Sequence, residues 1–234
     1  MLALKLQIII LDVNFCFFVG DSQARRLFST FLLFLSGDFS QGLLDPSVHS
    51  TSKKHCLGEM QLLDPECRHF VYDSSLLVQD RTECGFASDF LLEYFADFQT
   101  FLTSRTSKRM NSLLGLENTI VILGAGLHFD SNEQSFIDFY LSRLSDITKN
   151  STWPKLIIET LPKVPSVTIS DRRRTFRDAV TKFCKKRSLF VLDNFDLTTN
   201  LQPYDGKHFG LTFQMLKVNI LLGFLNQDWT VCKY

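Results

Sequence analysis

Apolar runs of two different periods alternate along this chain, separated by polar breaks that carry glycine or proline. Asn14 to Val19 is short, apolar and phenylalanine-rich, stops at Gly20, and predicts a buried strand. From Ser22 the period changes. Leu27, Phe28, Phe31, Leu32 and Leu35 share one stripe and predict a helix over Ser22–Leu35. Residues 37–67 show no sustained period, and Asp45-Pro46 and Asp64-Pro65 mark turns in them. Arg68–Tyr72 fits a second strand. Ser88–Thr103 carries Phe90, Leu91, Tyr94, Phe95, Phe98 and Leu102 at helical spacing, with Ser88 as its cap.

The second half repeats the alternation. Thr119–Leu123 predicts a strand that ends at Gly124-Ala125-Gly126. Ser131 and Gln134 have capping-box spacing ahead of a helix to about Ile147. Lys155–Glu159 reads as a strand, Asp171–Lys186 as a helix with an acidic cap, Ser188–Asp193 as a strand and Gly210–Leu225 as the final helix. Strand and helix in turn, with strands apolar throughout, predict an α/β domain whose parallel sheet is covered by helices on both faces. We expect one such domain over residues 14–234, preceded by an apolar segment over residues 1–13.

Composition narrows the function classes. Hydrophobic residues make up 45% of the chain, including 23 phenylalanines, enough for a sizeable aromatic core. The 25 basic and 25 acidic residues balance, so no overall field draws nucleic acid, and no nucleic-acid partner is expected. Arg172-Arg173-Arg174 reads as the solvated start of a helix. The six cysteines contain no CxxC pair and the five histidines no HxH or HExxH, so no metal site is expected. Cys16 fits a buried thiol, and Cys56, Cys67 and Cys84 lie where a disulfide could form. With the Asn150-Ser151-Thr152 sequon they lean toward a luminal or secreted setting. Met1 to Gly20 resembles a signal peptide, yet Asp12 and Asn14 interrupt it. A cut after Gly20 or Ala24 would damage the Gly20-Asp21-Ser22 triplet. The segment leaves membrane association open.

Chemistry in a parallel sheet gathers at the carboxyl ends of its strands. Three stretches fall there. Ser22 stands where strand meets helix, and can either cap the helix or act as a nucleophile beside the electropositive helix start. Asp205 and His208 lie three apart ahead of the last helix, either as a polar surface turn or as an acid and base for that serine. Gly126 and His128 follow the second strong strand. A dinucleotide loop would need a small residue where Phe129 stands, so no cofactor is expected. The stretch can be a strand-end turn, or a loop offering the Gly126 N–H and His128 to a developing anion.

Together these stretches resemble a known superfamily. "FVGDSQARRLF" looks like the first motif block of the SGNH (GDSL-type) hydrolases, "GLH" at 126–128 sits where their Gly-x-Asn block belongs, and "DGKH" at 205–208 matches their Asp-x-x-His. The arginine at 25 or 26, "GLHF" and "VLDNFDLT" at 191–198 are closer to one branch, the PC-esterase domains of neurexophilin-and-PC-esterase proteins and of sialate O-acetyltransferases. The resemblance implies a flavodoxin-like three-layer α/β/α fold and ester chemistry on an acylated carbohydrate or other small ester. It implies Ser22 as nucleophile, His208 as base, Asp205 as its partner, and Gly126 with His128 at the oxyanion. The second-block glycine falls to Gly58 or Gly85. A catalytically silent binding domain is the other class the resemblance allows.

Overall fold

The computed structural model describes residues 13, 15–45, 49–64, 66, 67, 75–79, 89–96, 102–124, 126, 127 and 132–225. Six strands make one sheet. They are β1 (Phe15–Gly20), β2 (Ser75–Gln79), β3 (Asp89–Ala96), β4 (Thr119–Gly124), β5 (Lys155–Glu159) and β6 (Phe190–Leu192). Their order across the sheet is β2-β3-β1-β4-β5-β6. β2 runs antiparallel to β3 at the edge, and the other five strands are parallel. Numbered among themselves, the parallel five have the order 2-1-3-4-5, the flavodoxin-like winding. The order reverses between β1 and β4, whose last residues Gly20 and Gly124 are register partners.

The two faces of the sheet bury different side chains of the same strands. Cys16 and Phe18 of β1, Ile120 and Ile122 of β4 and Ile157 of β5 join one cluster with helices α1 (Ser22–Ser36) and α8 (Leu211–Leu225). Phe15, Phe17, Val19, Val121, Leu123, Leu156 and Ile158 join the other. That second layer holds α4 (Ser104–Ser112), α5 (Glu133–Phe136) continuing through a π turn at Ile137–Leu141 into α6 (Ser142–Thr148), and α7 (Val167–Lys186). A strand covered on both sides has no polar face, which is why these strands read as unbroken apolar runs. Two short helices, α2 (Ser50–Lys53) and α3 (Met60–Leu63), lie in the irregular stretch, which a Cys56–Cys67 disulfide ties together. Cys16 and Cys184 are buried free thiols. Among the described residues no helix is long and apolar enough to cross a membrane.

Several boundaries differ from the sequence reading. The helix expected over Ser88–Thr103 is replaced by strand β3, and the next helix, α4, starts at Ser104. The run Phe90-Leu91-Leu92-Glu93-Tyr94-Phe95 places apolar residues at both helical and alternating spacing. Its slot between β1 and β2 then decides for strand. α5 is capped by Asn132, which accepts the Ser135 N–H at 2.9 Å, and Gln134 donates to Asp138. α7 starts at Val167, a turn before the Asp171 cap expected for it. Arg173 is not solvated: it is 4% exposed and donates to the Pro162 carbonyl at 2.7 Å. The expected strand at Arg68–Tyr72, the caps Ser88 and Ser131, and Cys84 and Gly85 lie outside the described residues.

Candidate active site

The turn after β1 is shaped by two residues the chain cannot easily change. Gly20 has φ +140, and a Cβ there would fall 2.1 Å from the Gly124 carbonyl oxygen. Asp21 follows with extended backbone and caps α1, its Oδ1 accepting the Gln23 N–H at 2.8 Å. The cap is therefore Asp21, and Ser22 is the first residue inside the helix. The other Asp21 oxygen, Oδ2, accepts the Leu127 N–H at 3.1 Å. One buried carboxylate thus ties the Ser22 turn to the turn after β4.

That second turn holds Gly126, at φ +132, where a Cβ would meet the Phe176 ring at 2.8 Å. Among the described residues, no hydrogen-bond acceptor faces the N–H groups of Ser22 and Gly126. Both belong to turns at the carboxyl edge of the sheet, where the strand order reverses. His128 lies outside the described residues.

The third stretch arrives from the far end of the chain. Gly206, at φ +79, turns the backbone between Asp205 and Lys207, and the Tyr204 N–H closes the turn on the His208 carbonyl at 2.9 Å. Asp205 uses its two oxygens differently. Oδ1 accepts the backbone N–H groups of Lys207 (3.0 Å) and His208 (2.7 Å), and Oδ2 meets His208 Nδ1 at 2.6 Å. The other ring nitrogen, Nε2, lies 2.8 Å from Ser22 Oγ. Partial burial pushes the Asp205 carboxyl up, but the hydrogen bonds from His208 and Lys207 outweigh it and bring the pKa down to about 2. An ionised Asp205 fixes Nδ1 as the protonated nitrogen and leaves Nε2 free to accept from the serine. Tyr204 stacks against the His208 ring, and Arg26 of α1 donates to the Tyr204 hydroxyl, bracing this loop against α1.

Beneath the three turns lies a polar cluster that sequence reasoning missed. Glu159, the last residue of β5, is 2.5 Å from Lys217 of α8, and both side chains are almost wholly buried. Asn194 donates to the same carboxylate oxygen at 2.8 Å. Burial pulls the Lys217 pKa down, and the charge of Glu159 opposes that shift. The available signal was a lone glutamate ending "KLIIE" and a lone lysine within the apolar run "LTFQMLKVNILLGFL". The only described group of metal-ligating type is His55 with Cys56 and Cys67, and those two cysteines are bonded to each other.

No protein-family model matches the chain. No curated protein matches it either. Solved structures to which the chain is similar include a variant of an acetyl-xylooligosaccharide esterase from Geobacillus, at 14% identity and a TM-score of 0.46 over 94% of this chain and 98% of that one. A catalytic mutant of an acetylxylan esterase from Geobacillus stearothermophilus follows at 13% and 0.47, covering 92% and 95%. The esterase domain of the ORF1 protein from a zebrafish retrotransposon matches at 13% and 0.34, covering 91% and 99%.

Proposed function

We propose that this chain is a serine-dependent O-acyl esterase or acyltransferase, acting on O-acetyl groups of a carbohydrate or glycoconjugate. The observation that supports the reading is the unbroken chain Ser22 Oγ–His208 Nε2–His208 Nδ1–Asp205 Oδ2, with contacts of 2.8 and 2.6 Å. A surface turn has no need of this alignment, whereas a serine nucleophile needs both a base and a partner that orients it.

The chemistry runs in two halves. Ser22 Oγ bonds to the ester carbonyl carbon while its proton passes to His208 Nε2. The negative charge that develops on the carbonyl oxygen meets the N–H groups of Ser22 and Gly126, and the start of α1 adds its dipole. The ester C–O bond then breaks, and the Nε2 proton goes to the departing alkoxide. This leaves an acylated Ser22 and a free alcohol. Water attacks the acyl-enzyme, gives its proton to Nε2 and restores the serine as the acid leaves. A sugar hydroxyl in place of water completes a transfer. His128 belongs to this reading as a third donor to the oxyanion, and the secretory lumen as its compartment. The Cys56–Cys67 disulfide and the exposed Asn150 sequon support that compartment.

Intact mass after treatment with a fluorophosphonate tests the reading. One adduct is expected on the wild type, none on Ser22→Ala, and a labelling rate lowered by orders of magnitude on His208→Ala. A folded wild type that takes no adduct overturns it in favour of a silent binding domain, and an adduct that survives Ser22→Ala overturns Ser22 as the nucleophile. Hydrolysis of acetylated xylo-oligosaccharides compared with acetylated sialosides then sorts the ester substrate.

A further inference from the structure

Lys217 and Glu159 stand apart from the chain of Ser22, His208 and Asp205, and packed residues connect them to the segments that carry it. Glu159 pairs in register with Gly124 on one side and Leu192 on the other. Its Oε1 takes both Lys217 Nζ and Asn194 Nδ2, at 2.5 and 2.8 Å. Asn194 also donates to the Thr160 carbonyl at 3.1 Å, so the loop after β6 is tied to the same point. Among the described residues Oε2 has no hydrogen-bond partner, and it lies 2.6 Å from where a Gly124 Cβ would stand. The carboxylate therefore packs against the backbone that leads to Gly126.

From Lys217 a packed line runs back to His208. The ammonium sits over the Phe213 ring, 5.4 Å from its centre, and that ring packs on Phe209 at 5.1 Å. Both phenylalanines are 2% exposed, and Phe209 is the neighbour of His208. The Gln214 N–H bonds the Gly210 carbonyl, which makes the first turn of α8 continuous with this segment. A helix held only by apolar contacts can slide or rotate along the face it covers. One pinned by a buried charge pair has a single register, because any other strands a charge away from water.

We propose that Glu159 and Lys217 are positioning residues: their pair fixes the register of α8 on the end of β5 and so holds His208 within hydrogen-bond reach of Ser22. The idea rests on the esterase reading for its consequence in rate, and not for its geometry. The discriminating protein is the double variant Glu159→Leu/Lys217→Met, which replaces the pair with apolar groups of similar volume. Such replacements commonly keep or raise stability. We expect it to melt at or above the wild-type temperature. We also expect fluorophosphonate labelling and kcat on an aryl acetate to fall 10- to 100-fold, with KM changed less than 3-fold. The nitrogen shifts of the His208 ring, which report its bonds to Ser22 and Asp205, move in the same variant. If the double variant does not fold, Lys217→Met alone carries the test, because Glu159 keeps Asn194 and can take up a proton. A folded variant with wild-type ring shifts overturns the proposal, whatever its reactivity. A wild type that is not labelled at all tells instead against the esterase reading.

Discussion

Asp205 has two tasks that share one carboxylate. Oδ1 folds the turn and Oδ2 orients the imidazole. Asp205→Asn should keep much of the turn, since an amide oxygen still accepts, but it can present its NH2 to Nδ1 and favour the wrong tautomer. We expect kcat to fall by ~10²–10⁴ with little change in KM, measured on an aryl acetate. The depressed carboxyl also fixes the pH dependence. Its folded value of about 2 lies below the unfolded one, so the stability it lends is complete above about pH 4 and is lost as pH falls toward 2. Asp205 therefore does not titrate between pH 4 and 8. The loss of kcat/KM on acidification across that window should not include an ionisation of Asp205, and a drop that Asp205→Asn abolishes would contradict this. The order Gly-Asp-Ser and Asp-x-x-His made these residues legible, because both stretches sit at breaks in the apolar pattern. Glu159 and Lys217 were not legible, because each is a single charge inside an apolar run and only the third dimension pairs them. Asp21 and Ser22 are both good helix caps, so which of them caps depended on the backbone angle at Asp21.

Among the elements, strands β1, β4, β5 and β6 and helices α1, α7 and α8 could be read from the sequence, within about a turn at their ends. Strand β3 could not, since its apolar residues satisfy both periods and its neighbours decide. β2 escaped as well, being an antiparallel edge strand outside the regular alternation. Glycines at the ends of elements give a graded test of what each junction tolerates. Gly37 closes α1 at φ +66 in open space, so Gly37→Ala should cost about 1 kcal/mol and leave activity intact. Gly20→Ala adds a clash with the neighbouring strand's backbone to an unfavourable φ, and should cost roughly 2–5 kcal/mol in urea unfolding. Gly126→Ala pushes on the Phe176 ring and displaces the N–H proposed for the oxyanion, so kcat should fall ~10²–10³-fold. Equal effects at all three positions would mean that the junctions are not as tightly built as the contacts indicate.

At the scale of the whole molecule, two apolar clusters clamp the sheet; Leu62 of the disulfide-bonded stretch packs into the first, while Cys56 and Cys67 form a small cluster with Leu44. Glu59 of that stretch comes within 3.8 Å of the Cβ position of Gly210, just beyond His208. Removing the staple with Cys56→Ser/Cys67→Ser should lower stability by roughly 3 kcal/mol, from the entropy of an 11-residue closure. Calorimetry with and without reductant checks this. The wild type under reduction should match the double variant.

The contact between Ser22 and His208 spans 186 positions of the chain. A ribosome therefore makes the serine well before its base. Until α8 has emerged and docked, a growing chain displays an ordinary hydroxyl, inert toward the esters around it. On the esterase reading, reactivity waits for this segment, so an interrupted or clipped product that lacks it is harmless as well as incomplete.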